Sequence, residues 1–377
     1  MRVRSAPTPL AAILAEQIRS HGPITFADYM EACLYHPQHG YYAKADQQPR
    51  RDYLTNVDVS PLFGRLLTRQ LCDMWKQLEF PDPFWVVEAG AGTGDLAKHI
   101  LSFAAGSQGE FYSALRYAAV ERSEARRNMQ ARILEGCGAS GHFVSLAEMP
   151  AEIPCGCVLS NELFDAMPVH RVIREGRQLR EMYVSCGENG FYEKADVLSS
   201  SCLAGYFEGQ GIVLRQSQQA EACLDACKWI EETGRRLGRG FVLTIDYGHE
   251  ARELYDGRHM RGTLLAYEHH RASESFYCAP GEQDLTAHVN FTALDLHGQR
   301  SSLSRTGLTT QTNFLLALAR HSDHADLQCD EMNPSEQSRA RLLFKTLINP
   351  EGVGETFRVF IQHKGIESPR LAGLELL

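Results

Sequence analysis

Glycines at 90, 92 and 94 follow the apolar run Phe84-Trp85-Val86-Val87, with Glu88 just before them and Asp95 just after. Glycine is needed where the backbone takes positive φ or must approach a ligand closely, so this G-x-G-x-G segment reads as a ligand-binding turn. A dinucleotide fingerprint has G-x-G-x-x-G, and here position 95 is aspartate. An acid at that helix N-terminus repels a pyrophosphate. The pattern therefore favours a cofactor without phosphates, S-adenosylmethionine, whose amino end or sulfonium can face Glu88. One strand later, Ala118-Ala119-Val120 ends in Glu121, placed to accept hydrogen bonds from two ribose hydroxyls. Dinucleotides use that arrangement too, so Glu121 discriminates only together with the glycine turn.

A second chemical segment is Ser160-Asn161-Glu162-Leu163-Phe164-Asp165, which follows the buried run Cys157-Val158-Leu159. Ligands of doubly wound sheets bind beyond the carboxyl ends of strands. Glu162 and Asp165 are three apart, so one helical turn would present both carboxylates to the same side. Paired acids hold a guanidinium or ammonium by charge-assisted hydrogen bonds. The structural alternative is that Asn161 caps a helix whose dipole the acids complement. Asp246 ends another buried run, Phe241–Ile245, on the same rim. Thr263, Tyr267, His270, Asp284 and His288 form a looser, loop-borne set, and His288 joins Asn161, Glu162, Asp165 and Asp246 as a catalytic candidate. No paired cysteine knuckles and no H-E-x-x-H occur, so no metal site is expected.

The elements that must position these residues follow from periodicity. Helices are expected over residues 8–20, over 25–35 with Thr25 as N-cap, and from Pro61 to the prolines at 81 and 83. Strands then alternate with helices through residue 168, which implies right-handed βαβ units and a parallel sheet. Residues 178–197 read as an antiparallel hairpin around a Glu-Asn-Gly turn, and about 217–237 as one long helix. Residues 249–300 carry six histidines and little apolar periodicity, as a functional lid would. A helix (NFLLALAR) and a strand (ETFRVFIQH) close the chain. The expected architecture is α/β, with an N-terminal helical lobe over residues 1–60 and a doubly wound domain over 61–377. That domain would carry insertions near 176–237 and 249–300.

Composition narrows the function classes. The 377 residues carry a formal net charge of −9 and no lysine- or arginine-rich stretch, which argues against a dedicated nucleic-acid binder. No apolar run approaches the ~20 residues of a membrane-spanning helix. Eleven scattered cysteines suit reduced thiols. A cytoplasmic protein without membrane partners is expected, with a mitochondrial location as the alternative and room for a homodimer.

Taken together, DYLTNVDVSPLFGRLL, VVEAGAGTGDLAKHIL, LSNELFDAMPVHR, TIDYGH, RGTLLAYEHHR and PGEQDLTAHVNFTAL resemble the MidA family of methyltransferases. The resemblance spans about Gly22 to His363. It implies a class I methyltransferase fold, with Gly90, Gly92 and Gly94 in the cofactor loop and Asn161, Glu162 and Asp165 in the acidic turn. Mitochondrial members of that family are complex I assembly factors that symmetrically dimethylate a protein arginine, which implies a protein substrate. Three segments depart from the family pattern. Ala91 stands for a proline, His288-Val289-Asn290-Phe291 for H-V-D-F, and Thr55-Asn56-Val57-Asp58-Val59-Ser60 for T-x-P-E-I-S. The alternatives are a methyltransferase of another side chain or of a small molecule, and a non-catalytic assembly factor that retains the fold. A nicotinamide-dependent oxidoreductase is disfavoured by the missing third glycine.

Overall fold

The computed structural model describes residues 8–45, 61–135, 139, 141–268, 271–321, 342–349 and 356–375. Two compact units are each gathered from separate stretches of chain: Met1–Tyr53, Phe164–Trp229 and Gly248–Leu296 in one, Leu54–Leu163, Ile230–Tyr247 and His297–Leu377 in the other. The segment Thr55–Ser60 lies outside the described residues, as does His270.

The second unit is built on seven strands: β1 (Phe84–Ala89), β2 (Leu115–Val120), β3 (Phe143–Leu146), β4 (Ile153–Asn161), β5 (Leu237–His249), β6 (Ser304–Thr310) and β7 (Phe357–Lys364). They lie in the order β6-β7-β5-β4-β1-β2-β3. Neighbours from β5 to β3 are parallel, and β7 runs antiparallel to both β5 and β6. Strand order therefore reverses between β1 and β4, the doubly wound pattern expected. Period-two alternation sends Val86, Tyr117, Leu159, Leu243 and Ile361 into one core with Leu66, Leu67, Ile100, Phe314 and Leu318. Those five come from the helices Pro61–Gln77, Asp95–Ser107 and Gln311–His321. Glu88 shares the parity of Phe84 and Val86, which puts a carboxyl inside the sheet's packing.

In the first unit, Thr8 and Thr25 cap the helices Pro9–His21 and Phe26–Tyr35, each side chain accepting a backbone N–H. Gln178–Gly187 and Gly190–Asp196 form the expected hairpin inside a five-stranded sheet with Ile24–Thr25, His170–Glu175 and Gln219–Ala222. The long helix expected from Ser217 is shorter. Ser217 takes φ +60°, Gln219–Ala222 pairs antiparallel with His170–Ile173, and the helix runs only over Leu224–Arg236. The left-handed Ser217 stops helical propagation there. The stretch 249–300 is also more regular than an open lid. It contains the strands Leu265–Glu268, Arg271–Ser273 and Asp284–Thr286 in one sheet, followed by the helix Phe291–Gln299. Asn290 starts that helix, its Oδ1 accepting the Ala293 N–H at 3.1 Å.

Candidate active site

The glycine turn leaves β1 at the strand-order reversal. Gly90, Gly92 and Gly94 take φ of +73°, +53° and +91°, the left-handed region that L side chains avoid. Gly90 and Ala91 donate to the Val120 carbonyl at 2.9 and 3.0 Å, so the turn folds over the end of β2. A Cβ on Gly90 would meet Leu163 Cδ1 at 3.0 Å, whereas one on Gly92 would meet none of the described residues within 4 Å. That open flank beside a left-handed glycine is the kind of cradle a nucleoside cofactor needs.

Glu121, just past β2, accepts the Gly92 N–H on Oε2 at 3.0 Å and the Ser123 N–H on Oε1 at 2.9 Å. Each oxygen keeps lone-pair capacity for a ligand hydroxyl. Glu88 sits deeper than a cofactor-facing acid was expected to. It is buried and accepts the Tyr117 hydroxyl at 2.7 Å. Burial pushes its carboxyl up to about 8, the Tyr117 hydrogen bond opposing this and the charges of Glu121 and Asp95 adding to it. Sequence reasoning missed Gln130, a fully buried side chain that donates to the Gly92 carbonyl at 2.8 Å. It lies in Glu124–Leu134, a polar helix whose pattern gives no sign that one glutamine turns inward.

Asn161, Glu162 and Asp246 come together at the carboxyl ends of β4 and β5, in the same unit as the glycine turn. No helix starts there, contrary to expectation. Glu162 takes φ +54° and donates its N–H to the Ile245 carbonyl at 2.9 Å, which breaks helical geometry at its first residue. Asn161 Nδ2 donates to Glu162 Oε1 at 3.1 Å, so Asn161 orients the acid rather than capping a helix. Asp246 is fully buried and accepts the Leu163 N–H on Oδ2 at 3.1 Å and the Tyr247 N–H on Oδ1 at 3.0 Å.

Asp165 and His288 belong to the first unit. Asp165 is buried, and its carbonyl accepts the Ala287 N–H at 3.0 Å. Burial raises the Tyr267 hydroxyl above its ordinary value, and the Asp165 and Asp284 carboxylates add to the rise. Asp284 is itself fully buried and accepts the Tyr42 hydroxyl at 3.2 Å. The His288 N–H donates to Thr263 Oγ1 at 3.1 Å, and its ring centroid lies 5.3 Å from that of His249. Asp165, Tyr267 and Asp284 thus form one acidic cluster, while His288 stands with Thr263 and His249. Among the described residues, no cluster of His, Cys, Asp and Glu could hold a metal, and no helix is long and apolar enough to cross a membrane.

A family model of S-adenosyl-L-methionine-dependent methyltransferases matches residues 66–309. The mouse protein arginine methyltransferase NDUFAF7, mitochondrial, is 28% identical over 94% of this chain and 84% of its own length. The human protein of the same name is 27% identical over 96% and 86%. A Burkholderia thailandensis protein solved with S-adenosyl-homocysteine bound superposes with a TM-score of 0.85 at 29% identity, covering 98% of this chain and 97% of that one. The doubly wound sheet is that of class I methyltransferases, and S-adenosylmethionine is the cofactor. With a matching family model over most of its length, this chain belongs to the S-adenosyl-L-methionine-dependent methyltransferase family.

Proposed function

We propose that this chain transfers a methyl group to a guanidinium nitrogen of an arginine in a protein client. The names of the mouse and human relatives support arginine and a protein substrate, and they favour a mitochondrial location over the cytoplasmic one. The observation that carries the reading is the strained acidic turn. Glu162 is held at φ +54° beyond β4, with Asn161 on its carboxylate and Asp246 on the next peptide. Strain of this kind concentrates where side-chain aim matters more than backbone comfort.

When bound, S-adenosylmethionine supplies a methyl group activated by its sulfonium, with a neutral thioether as leaving group. The protein's own work is orientation. Gly90, Gly92 and Gly94 let the backbone approach the cofactor, and Glu121 takes the ribose hydroxyls on the lone pairs its two backbone partners leave. Glu88 keeps its proton below about pH 8 and places a neutral carboxyl beneath the turn. Glu162 holds the guanidinium and accepts the proton that leaves the methylated nitrogen. Asp246 positions the turn.

Incubating the protein with methyl-labelled S-adenosylmethionine and a lysate, then hydrolysing the labelled protein, tests this. Labelled methylarginine is expected. Label confined to another amino acid or to small molecules would overturn the arginine assignment.

A further inference from the structure

We infer that Gln130 is a positioning residue for the cofactor, acting through the peptide groups of Gly92. Its side chain is fully buried, and both ends are used. Nε2 donates to the Gly92 carbonyl at 2.8 Å, and Oε1 accepts Ser145 Oγ–H from β3 at 2.5 Å. The N–H of the same glycine is held by Glu121 Oε2 at 3.0 Å. One residue in a left-handed conformation is therefore clamped at both its donor and its acceptor. The two holding side chains come from the end of β2 and from the helix after it.

Packing reinforces the clamp. A Cβ on Gly94 would meet Gln130 Cγ at 3.0 Å, so the glutamine stem also fills the place beside the third glycine. Glycine loses more conformational freedom on ordering than any other residue, and a loop left unbraced has to be ordered by its ligand. The Ser145–Gln130–Gly92 chain does that ordering before the cofactor arrives. The Gly92 carbonyl, which can only accept, fixes Nε2 as the end that faces it, and the Ser145 hydroxyl donates to the remaining Oε1. The inference rests on reading Gly90–Gly94 as the cofactor turn.

The test uses the full chain and four variants: Gln130→Leu, Gln130→Glu, Ser145→Ala and Gly92→Val. Gln130→Leu keeps volume without the donor, and Gln130→Glu sets a carboxylate against the Gly92 carbonyl. Calorimetric affinity for S-adenosylhomocysteine should fall about fivefold to tenfold in Gln130→Leu, the loss of one buried hydrogen bond, and further in Gln130→Glu. Ser145→Ala, which leaves Gln130 in place, should show a smaller loss of about twofold to fivefold. In methyl transfer, KM for S-adenosylmethionine should rise while kcat changes little, alongside a modest drop in the ligand-free melting temperature from the groups left unpaired. A role in stability alone would lower that melting temperature and leave KM unchanged, overturning the inference. Should Gln130→Leu not fold, Ser145→Ala decides, and unchanged affinity there also overturns it. Normal binding by Gly92→Val would refute the loop reading itself. Lost binding there, with Gln130→Leu and Ser145→Ala at wild-type affinity, refutes only the role of Gln130.

Discussion

Asp246 Oδ2 accepts the backbone N–H of Leu163 at 3.1 Å, so the end of β5 holds the turn that leaves β4. The carboxylate does not need to touch a substrate to matter. Replacing it with asparagine keeps one acceptor but sets an amide against either the Leu163 or the Tyr247 N–H. Asp246→Asn should lower kcat at least about tenfold and leave affinity for S-adenosylhomocysteine within about threefold, the cost of one misplaced hydrogen bond being spent on the acidic turn. Parallel calorimetry and methyl incorporation check this, and normal turnover would place Asp246 outside the machinery.

Glu162 presents stability and function pulling apart. A non-glycine residue at φ +54° carries about 1–3 kcal/mol of backbone strain. Glu162→Gly should therefore raise the melting temperature or leave it unchanged while removing most methyl transfer. Glu162→Gln should leave cofactor affinity nearly intact and still reduce turnover strongly, since it removes the charge that orients a guanidinium. If both variants turn over normally, the substrate-holding acid lies elsewhere.

Gly92→Val should remain folded and lose cofactor binding. The left-handed conformation costs a β-branched residue about 1–2 kcal/mol, within the usual margin of about 5–15 kcal/mol. Among the described residues nothing lies within 4 Å of a Cβ at that position, so the side chain would enter the space reserved for the ligand. A melting curve with and without S-adenosylhomocysteine reads both halves at once.

Glu121→Ala should weaken S-adenosylmethionine and S-adenosylhomocysteine alike, by roughly 1–3 kcal/mol, because both carry the same ribose. The loss includes the freed Gly92 N–H as well as the ribose contacts. A large effect on one ligand and none on the other, measured by calorimetry, would contradict the ribose role.

The glycine turn was legible because its conformations demand particular residues: three glycines at three positive φ values. The continuous apolar runs of β1, β4 and β5 announced a buried parallel sheet, because strands covered on both faces need apolar residues throughout. Glu162 was not legible, since a left-handed glutamate carries no mark in sequence and its spacing to Asp165 imitates a helical turn. β6 went unseen because Ser304–Thr310 is polar and only partly buried, with no apolar run to signal a strand. Gln219–Ala222 went unseen because its pairing with His170–Ile173 is non-local, while its own residues also suit a helix. The inward turn of Gln130 depends on a glycine and a serine in other elements. Local patterns report local geometry, and those four features are set by distant partners.

The Glu88 carboxyl makes stability depend on pH in an unusual direction. Its native value of about 8 lies above the ordinary 4.5, so between those values the native state holds a proton that the unfolded chain releases. Stability should fall as pH rises through that window, the opposite of a salt-bridged acid. Glu88→Gln, which mimics the protonated form, should match the wild type near pH 5. By pH 8 it should exceed it by roughly 2–5 kcal/mol. Denaturant unfolding of both proteins across that range tests this, and parallel stability profiles would show that Glu88 titrates normally.

The place of β7 bears on how the molecule is made. It lies between β5 and β6, so β5 emerges during synthesis with one flank bare and waits for a partner from near the end of the chain. At ordinary translation rates that wait is on the order of ten seconds, during which Phe241, Leu243 and Ile245 have no neighbour on that side. A nascent chain with an open apolar strand is a client for holding chaperones and a hazard at high expression. Slow production at low temperature should therefore raise the soluble yield.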